Sequence, residues 1–373
     1  MADDDRWPFV HTGPGTVAGR YLRRCWQPVF ESDRLAVGQA VEIGVLGERF
    51  TLYRGTSGRA HLVGQRCAHR GTVLATGSVE GETIRCYYHG WRFDGAGRCV
   101  EQPAEPAPFC DKVGIAAHPV LEQLGLVFAF LGDAEPPPLP AWPEFEAGSV
   151  SSIALLPCNY FQSAENIVDD VHVAFTHRSL GELSASSRGD RHPQVEAAET
   201  PFGLTVAFRS GERTERNHWL MPNQCCVGYD LRFPRKGKPD LRFRARTLFW
   251  YVPVDDRSHL HVMVTVPGSS LLLSQMRAEM ATEHSVAQQI ADVLAGRSQA
   301  HRGGVKLPNL VRTQDGVAIV GQGEIADRSR EHLGATDAGV VLLRKVWRRE
   351  LRRLDEGGAP TPYRRPDNLL DLL

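Results

Sequence analysis

The sequence predicts an α+β protein in two parts, and three observations carry that prediction. Short β-rich runs punctuated by glycine turns fill residues 1–140, a proline-rich stretch spans residues 134–143, and residues 141–373 mix strand patterns with apolar helical runs. At 373 residues the chain can bury roughly three quarters of its unfolded surface, enough for two cores. The expected division is therefore 1–140 and 141–373.

In the first part, residues 41–53 read as two strands joined by a Gly turn, and 59–63 as a third, each rich in β-branched or aromatic residues. Residues 90–100 repeat the strand, Gly turn, strand signal, and 125–131 form a further buried strand. Together they predict a compact antiparallel module capped by loops. The run Pro136-Pro137-Pro138-Leu139-Pro140 can be neither a regular helix nor a central strand, so it reads as a stiff linker. Beyond it, residues 200–209, 224–233, 241–253 and 259–266 read as strands of an antiparallel sheet, and 270–297 as one long helix. A last helix puts Val346, Trp347, Leu351 and Leu354 on its apolar side. Arg348, Arg349, Arg352 and Arg353 then take its solvated or subunit-facing side.

Composition excludes several classes of function. A formal net charge of −1 with scattered Arg argues against a nucleic-acid partner. No apolar stretch reaches the length of a membrane span, and the start Met1-Ala-Asp-Asp-Asp-Arg6 has neither the basic end nor the apolar centre of a signal peptide. A cytoplasmic location is expected, with the cysteines outside any metal site kept as thiols. The eight cysteines are too few for a dense disulfide framework, and Cys225-Cys226 lacks the spacing of a redox motif, so it reads as buried filler.

Two short loops carry the strongest chemical signal. Cys67-Ala-His69 and Cys86-Tyr-Tyr-His89 are separated by sixteen residues, and each offers one thiolate and one imidazole. A Rieske [2Fe–2S] centre needs two Cys on one iron and two His on the other, so each loop supplies one ligand to each iron. Zinc would also accept two Cys and two His, but zinc fingers pair like with like, whereas here the order is Cys-His, Cys-His. Gly71 and Gly90, just after the second ligands, permit the positive φ that turns backbone amides toward cluster sulfurs. Neutral imidazoles raise such a centre's potential to about −150 to +300 mV, against about −400 mV for an all-Cys plant-type cluster.

A second group of ligand types lies at Asn166, Asp169, His172 and His177. Asn166, Asp169 and His172 recur every three residues and would form one column on a helix. His177 would point elsewhere, because five residues turn a helix by roughly 140°; the helix must distort or end near Phe175. Two imidazoles without a thiolate suit Fe(II) in a triad of two His and one carboxylate with open positions for dioxygen. Asp169 and Asp170 are adjacent candidates for that carboxylate, and Asp315 is a distant one, placed where it could equally cap the start of a helix.

With these motifs in view, the chain resembles the catalytic α subunit of a Rieske non-heme iron oxygenase over nearly its whole length. The family's Cys-x-His, Cys-x-x-His and Asn-x-x-Asp-x-x-His-x-x-x-x-His follow in order. The resemblance narrows to the phthalate dioxygenase and vanillate O-demethylase branch on residues 13–28, 250–256 and 327–337; Tyr87 departs from it, standing where many members have Pro. It implies a helix-grip catalytic domain with His172, His177 and Asp315 holding the mononuclear Fe(II), and Cys67, His69, Cys86 and His89 holding the cluster. Asn166 would lie beside the iron, and Asp169 would link His172 to the neighbouring subunit's His89.

The implied activity is that of a terminal oxygenase using O₂ to hydroxylate or oxidatively demethylate an aromatic or heteroaromatic small molecule. A cis-dihydroxylating ring dioxygenase is the alternative, and an electron carrier without oxygenase activity a remote one. No Gly-x-Gly-x-x-Gly opens a helix after a strand, so a separate NAD(P)H-dependent reductase, with or without a ferredoxin, is expected to supply electrons. The resemblance also implies head-to-tail subunits, and a ring of three closes that contact into a homotrimer. For the substrate, His218, Met221, Asn223, Phe249 and Tyr251 are candidate contacts, and 183–191 a candidate lid.

Overall fold

A computed structural model describes residues 6–179, 193–235, 237–280, 286–300 and 309–373. The candidate lid at 183–191 lies outside them. Contacts divide the chain into two units, Gly13–Pro140 and Met1–Thr12 with Ala141–Leu373. The second unit thus takes in an N-terminal segment that the proline-rich run alone would leave with the first. Phe9 explains it: the ring is fully buried and stacks on Phe161 at 3.7 Å. Hydrogen bonds reinforce that anchor, Thr12 N donating to Asp256 Oδ1 at 2.9 Å and Asn159 Nδ2 to Val10 O at 2.9 Å.

The Gly13–Pro140 unit is built from three small antiparallel sheets. Ala40–Val45, Glu48–Arg54, Ala60–Gly64 and Ala117–His118 form one; Ser78–Glu80, Thr83–Arg85, Arg92–Asp94 and Cys99–Glu101 form the second; Gln27–Glu31, Leu126–Ala129 and Val120–Gln123 complete the third. The first hairpin turns at Leu46 and Gly47, both at positive φ (52° and 78°), as a tight two-residue turn requires. Tyr53, Leu74, Ile84, Trp91 and Phe93 make a dry core that also encloses Cys67 and Cys86.

The other unit is a seven-stranded antiparallel sheet with helices against it. Its spatial order is Val150–Leu156, Ser258–Val266, Lys238–Asp255, Gln224–Arg235, Arg213–Leu220, Gly203–Ser210 and Gln194–Thr200. Three of these strands, Val150–Leu156, Gln194–Thr200 and Arg213–Leu220, escape the sequence reading. Charged residues such as Glu196, Glu199, Glu215 and Arg216 dilute the β-rich signal in two of them. Within the expected long helix, the described residues are helical over Ser270–Met280 and Val286–Leu294. Among the described residues, no helix is long and apolar enough to cross a membrane.

Helix Tyr160–Ile167 lies on the sheet's inner face. Ser163 Oγ meets His259 Nε2 at 2.8 Å, and Asn217 Nδ2 donates to Ile167 O at 2.7 Å. The C-terminal helix Ala338–Asp355 buries Val346, Trp347, Leu351 and Leu354, as its pattern predicts, and Trp347 packs edge-on against Phe161. Between the two helices Glu165 takes hydrogen bonds from Arg328 (2.8 and 3.0 Å) and from Arg344 Nε (2.6 Å), with all three residues buried. Removing the carboxylate would leave two guanidinium groups buried beside one another. Glu165→Ala should therefore cost about 3–5 kcal/mol, read as an earlier urea transition of this unit; an unchanged midpoint would refute the pairing role.

Candidate metal centres

The two Cys-His loops share a backbone template. In each, the cysteine amide donates to the carbonyl five residues on, Cys67 to Thr72 and Cys86 to Trp91, and the glycine four residues on donates back to the cysteine carbonyl. Those glycines, Gly71 and Gly90, sit at φ 75° and 73°, which a side chain would resist. The arginine before each cysteine completes the pattern: Arg66 Nη1 donates to Gly71 O at 2.8 Å and Arg85 Nη1 to Gly90 O at 2.9 Å. Arg85 is itself held by Glu80 and Glu101. The arginine clamps were missed from sequence, although both arginines directly precede the ligand cysteines. The second loop is a hairpin tip, joining Thr83–Arg85 to Arg92–Asp94, while the first is flanked by an isolated Arg66–Val73 bridge in place of a strand pair.

The four side chains converge. Cys67 and Cys86 are each 3% exposed, and the His69 and His89 rings lie 4.5 Å apart. Trp91 stacks on His69 at 4.6 Å with planes 7° apart, fixing that imidazole. Burial pushes the Cys67 thiol up to about 11, against the opposing pull of the His69 and Arg70 amides that donate toward its sulfur. His69 Nδ1 is buried with no hydrogen-bond partner, an expensive state for a ring nitrogen unless something binds there. Two buried sulfurs, inward amides and an orphaned imidazole nitrogen fit a sulfide-bridged iron pair.

In the larger unit the column expected on one helix is broken. The helix ends at Ile167, and Asp169 and Asp170 stand in the turn after it; His172 and His177 flank the short helix Val173–Thr176. The break thus comes before His172 rather than near Phe175, and it lets both imidazoles reach one point. Asp315 does not cap a helix start as the sequence suggested. It sits in the middle of Leu310–Val320, whose N-cap is Asn309.

His172, His177 and Asp315 each place one ligand atom within 4.8 Å of the others. Asp315 Oδ1 lies 3.3 Å from His172 Nε2 and 3.0 Å from His177 Nε2, yet it is buried without a directed hydrogen bond. Lone pairs converging in this way suit a cation between them. Burial would raise the Asp315 carboxyl, but His172 and His177 hold it well below the usual range. Burial would lower His172, but Asp169 and Asp315 outweigh it and hold the imidazole up to about 10.

Outer contacts set the tautomers. His177 Nδ1 donates to Gln314 Oε1 at 2.9 Å, leaving Nε2 for the shared point. Gln314 is in turn tied to Ser179 Oγ and Ala300 O. His172 Nδ1 faces the Asp169 carbonyl, with the Asp169 carboxylate 3.8 Å away, and Asn166 Nδ2 stands 3.5 Å from His172 Nε2. Gln314 was also missed from sequence; its partner is 137 residues distant, so no local periodicity could reveal it. Asp170 turns away from this group, taking a 3.0 Å bond from Asn217.

The Rieske [2Fe-2S] domain family matches residues 25–122. The 5,5'-dehydrodivanillate O-demethylase oxygenase subunit of Sphingobium sp. is 30% identical over 94% of this chain and 81% of its own length. The phenoxybenzoate dioxygenase subunit alpha of Ectopseudomonas oleovorans is 31% identical over 93% and 84%. Among solved structures, Pseudomonas putida CBB5 NdmA superposes with TM-score 0.65, at 20% identity, over 92% of this chain and 94% of its own.

Gly90→Ala would force a left-handed backbone on alanine and bring its Cβ to 2.9 Å from Pro103 Cγ. The loss should be at least about 1–2 kcal/mol for the Gly13–Pro140 unit by chemical denaturation, and wild-type stability would refute the strained-turn account.

Proposed function

This chain belongs to the Rieske-type oxygenases as an oxygenase subunit, and from that footing we propose that it is the terminal component of a multicomponent system acting on a small aromatic or heteroaromatic compound. In this reading Cys67, His69, Cys86 and His89 hold the [2Fe–2S] cluster, and His172, His177 and Asp315 hold one mononuclear Fe(II). The observation that carries it is the convergence of two imidazole nitrogens on an otherwise undirected Asp315 oxygen. Held by His172, His177 and Asp315, an iron would supply O₂ activation, with the cluster as its electron source.

The protein's own groups do the positioning. Gln314 holds the His177 Nδ1 proton so that Nε2 stays available, and the Asp169 carbonyl does the same for His172. Asn166 crowds one side of the His172 nitrogen, limiting what can approach from there. The Asp169 carboxylate keeps 30% of its surface exposed, consistent with a role toward a neighbouring subunit's His89. Head-to-tail contact of that kind favours a homotrimer.

Demethylation or hydroxylation of a substituent is the favoured outcome. The curated relative with the 94% match is an O-demethylase subunit; a cis-diol outcome is the second reading, because a dioxygenase subunit matches nearly as much of the chain. Electrons would come from a separate NAD(P)H-dependent reductase, directly or through a ferredoxin, in the cytoplasm. Products formed under labelled O₂ from methoxy-aromatics, aromatic acids and N-methyl heterocycles test the assignment. One labelled atom per turnover with release of formaldehyde supports demethylation, two in a diol support the second reading, and no incorporation from any of them would refute both.

Two substitutions probe the parts. Gln314→Leu frees the His177 tautomer and should weaken the second iron roughly 10–100-fold in a chelator competition while leaving the cluster spectrum intact; undiminished retention would remove Gln314 from the account. Asp169→Asn should keep both metals but slow oxidation of the reduced cluster in single turnover, and an unchanged rate would end the bridging role.

A further inference from the structure

The sheet's inner face carries a second feature besides the metal-binding group. Alternation along Lys238–Asp255 and its neighbours puts Trp219, Phe249, Tyr251 and His261 on one side, the side against which Tyr160–Ile167 and Leu310–Val320 pack. Their ring planes are nearly parallel. Tyr251 and His261 stand 5.3 Å apart at 13°, His261 and Phe249 5.6 Å at 7°, and Trp219 and Tyr251 6.0 Å at 7°. The Asp315 charge is felt at both Tyr251 and His261, so these rings share the interior with the His172–His177–Asp315 group.

The register also sorts the earlier substrate candidates. His218 pairs with Cys226 on the opposite face and bonds Thr205 there. Asn223 spends its amide on the Tyr251 carbonyl, and Met221 Sδ takes the Trp219 indole N–H, so both serve the turn between strands. Phe249 and Tyr251 remain. His261, which the sequence reading passed over, joins them.

His261 is chemically unspent. Its backbone carbonyl takes a bond from Arg312, but its ring nitrogens meet no hydrogen-bond partner among the described residues. The Tyr251 hydroxyl is in the same position. Burial, with Arg312 and His259 adding to it and Asp315 opposing, pushes the imidazole well below its ordinary value. The ring is therefore neutral, with one N–H to give and one lone pair to receive with. Interior polar groups are retained where something pairs with them.

We propose that His261, with the Tyr251 phenol beside it, orients the substrate: a planar aromatic ring enters parallel to the Trp219–Tyr251–His261–Phe249 rank, and a neutral ring-borne hydroxyl or ether oxygen pairs with the imidazole. This inference rests on the oxygenase reading above and deepens it by naming a substrate class. Charge decides for a neutral group. The rank itself bears no cation, and Arg312 donates to Ser152 Oγ (2.9 Å) and His261 O (3.0 Å), so a carboxylate against the neutral imidazole would give up its hydration without a charge paired to it.

Anaerobic equilibrium dialysis of the iron-loaded protein with 2-methoxyphenol, 2-methoxybenzoate and toluene tests it. The wild type should bind 2-methoxyphenol at least about tenfold more tightly than 2-methoxybenzoate. His261→Phe, which keeps the stack but removes the nitrogens, should lose about tenfold toward 2-methoxyphenol and nothing toward toluene, and His261→Gln should recover part of the loss. Tyr251→Phe should weaken 2-methoxyphenol alone, and it keeps the test decisive if the His261 variants fold poorly. Equal binding of 2-methoxyphenol by wild type, H261F and Y251F, a preference for the benzoate, or a wild type that binds none of the three overturns the proposal. Binding with the expected pattern but without O₂ consumption would sink the oxygenase reading and leave the ring rank standing.

Discussion

The meeting of His172, His177 and Asp315 at one point is the constraint on which the larger unit depends. Asp315 comes from a helix 138 residues beyond His177 in the chain, and a straight helix would have sent the two imidazoles apart. The chain resolves this by ending one helix at Ile167 and starting another at Val173, with His172 and His177 at the two ends of the short one. The Glu165 link to Arg328 and Arg344 and the stacking of Phe161 on Phe9 hold the preceding helix against the rest of the unit. A carboxylate held well below its usual pKa beside an imidazole raised to about 10 is the electrostatic signature of a site short of positive charge.

The smaller unit meets a similar demand by repetition. Two loops of different ligand spacing, one with its histidine two residues after the cysteine and the other three, reach the same backbone geometry through an arginine before the cysteine and a left-handed glycine four residues after it. Both arginines grip the glycine carbonyl, so the turn is held from outside while the cysteine's own amide and carbonyl close it from within. Trp91 then fixes one imidazole by stacking, and Tyr87 and Tyr88 stay exposed at the tip of the second loop.

The parts legible in the sequence share a local cause. Metal-ligand types at short spacing marked both ligand loops and the Asn166–His177 run, and glycine-punctuated runs marked the strands of the smaller unit. Signals that depend on distant partners were not legible. Gln314 matters through His177, His261 through the cross-strand register that sets it beside Tyr251, and Phe9 through Phe161 on the far side of the linker. Asp315 stands out in the sequence as a carboxylate, but a ligand and a helix cap look alike there, because Asp is favoured near a helix start and no local feature separates the two roles. Strand Gln194–Thr200 was hidden by its charged residues, which an edge strand tolerates.

The central claim is that one chain holds a mixed Cys/His iron pair and a separate ferrous ion. Mössbauer spectroscopy of protein enriched in ⁵⁷Fe and reduced without oxygen tests it most directly. About three irons per chain in equal shares are expected: a ferric site with sulfur ligands, a ferrous site of the same pair with imidazole ligands, and a high-spin ferrous site lost in the His177→Ala variant. Two equivalent irons in an all-sulfur environment, or a third signal that survives His177→Ala, would contradict it.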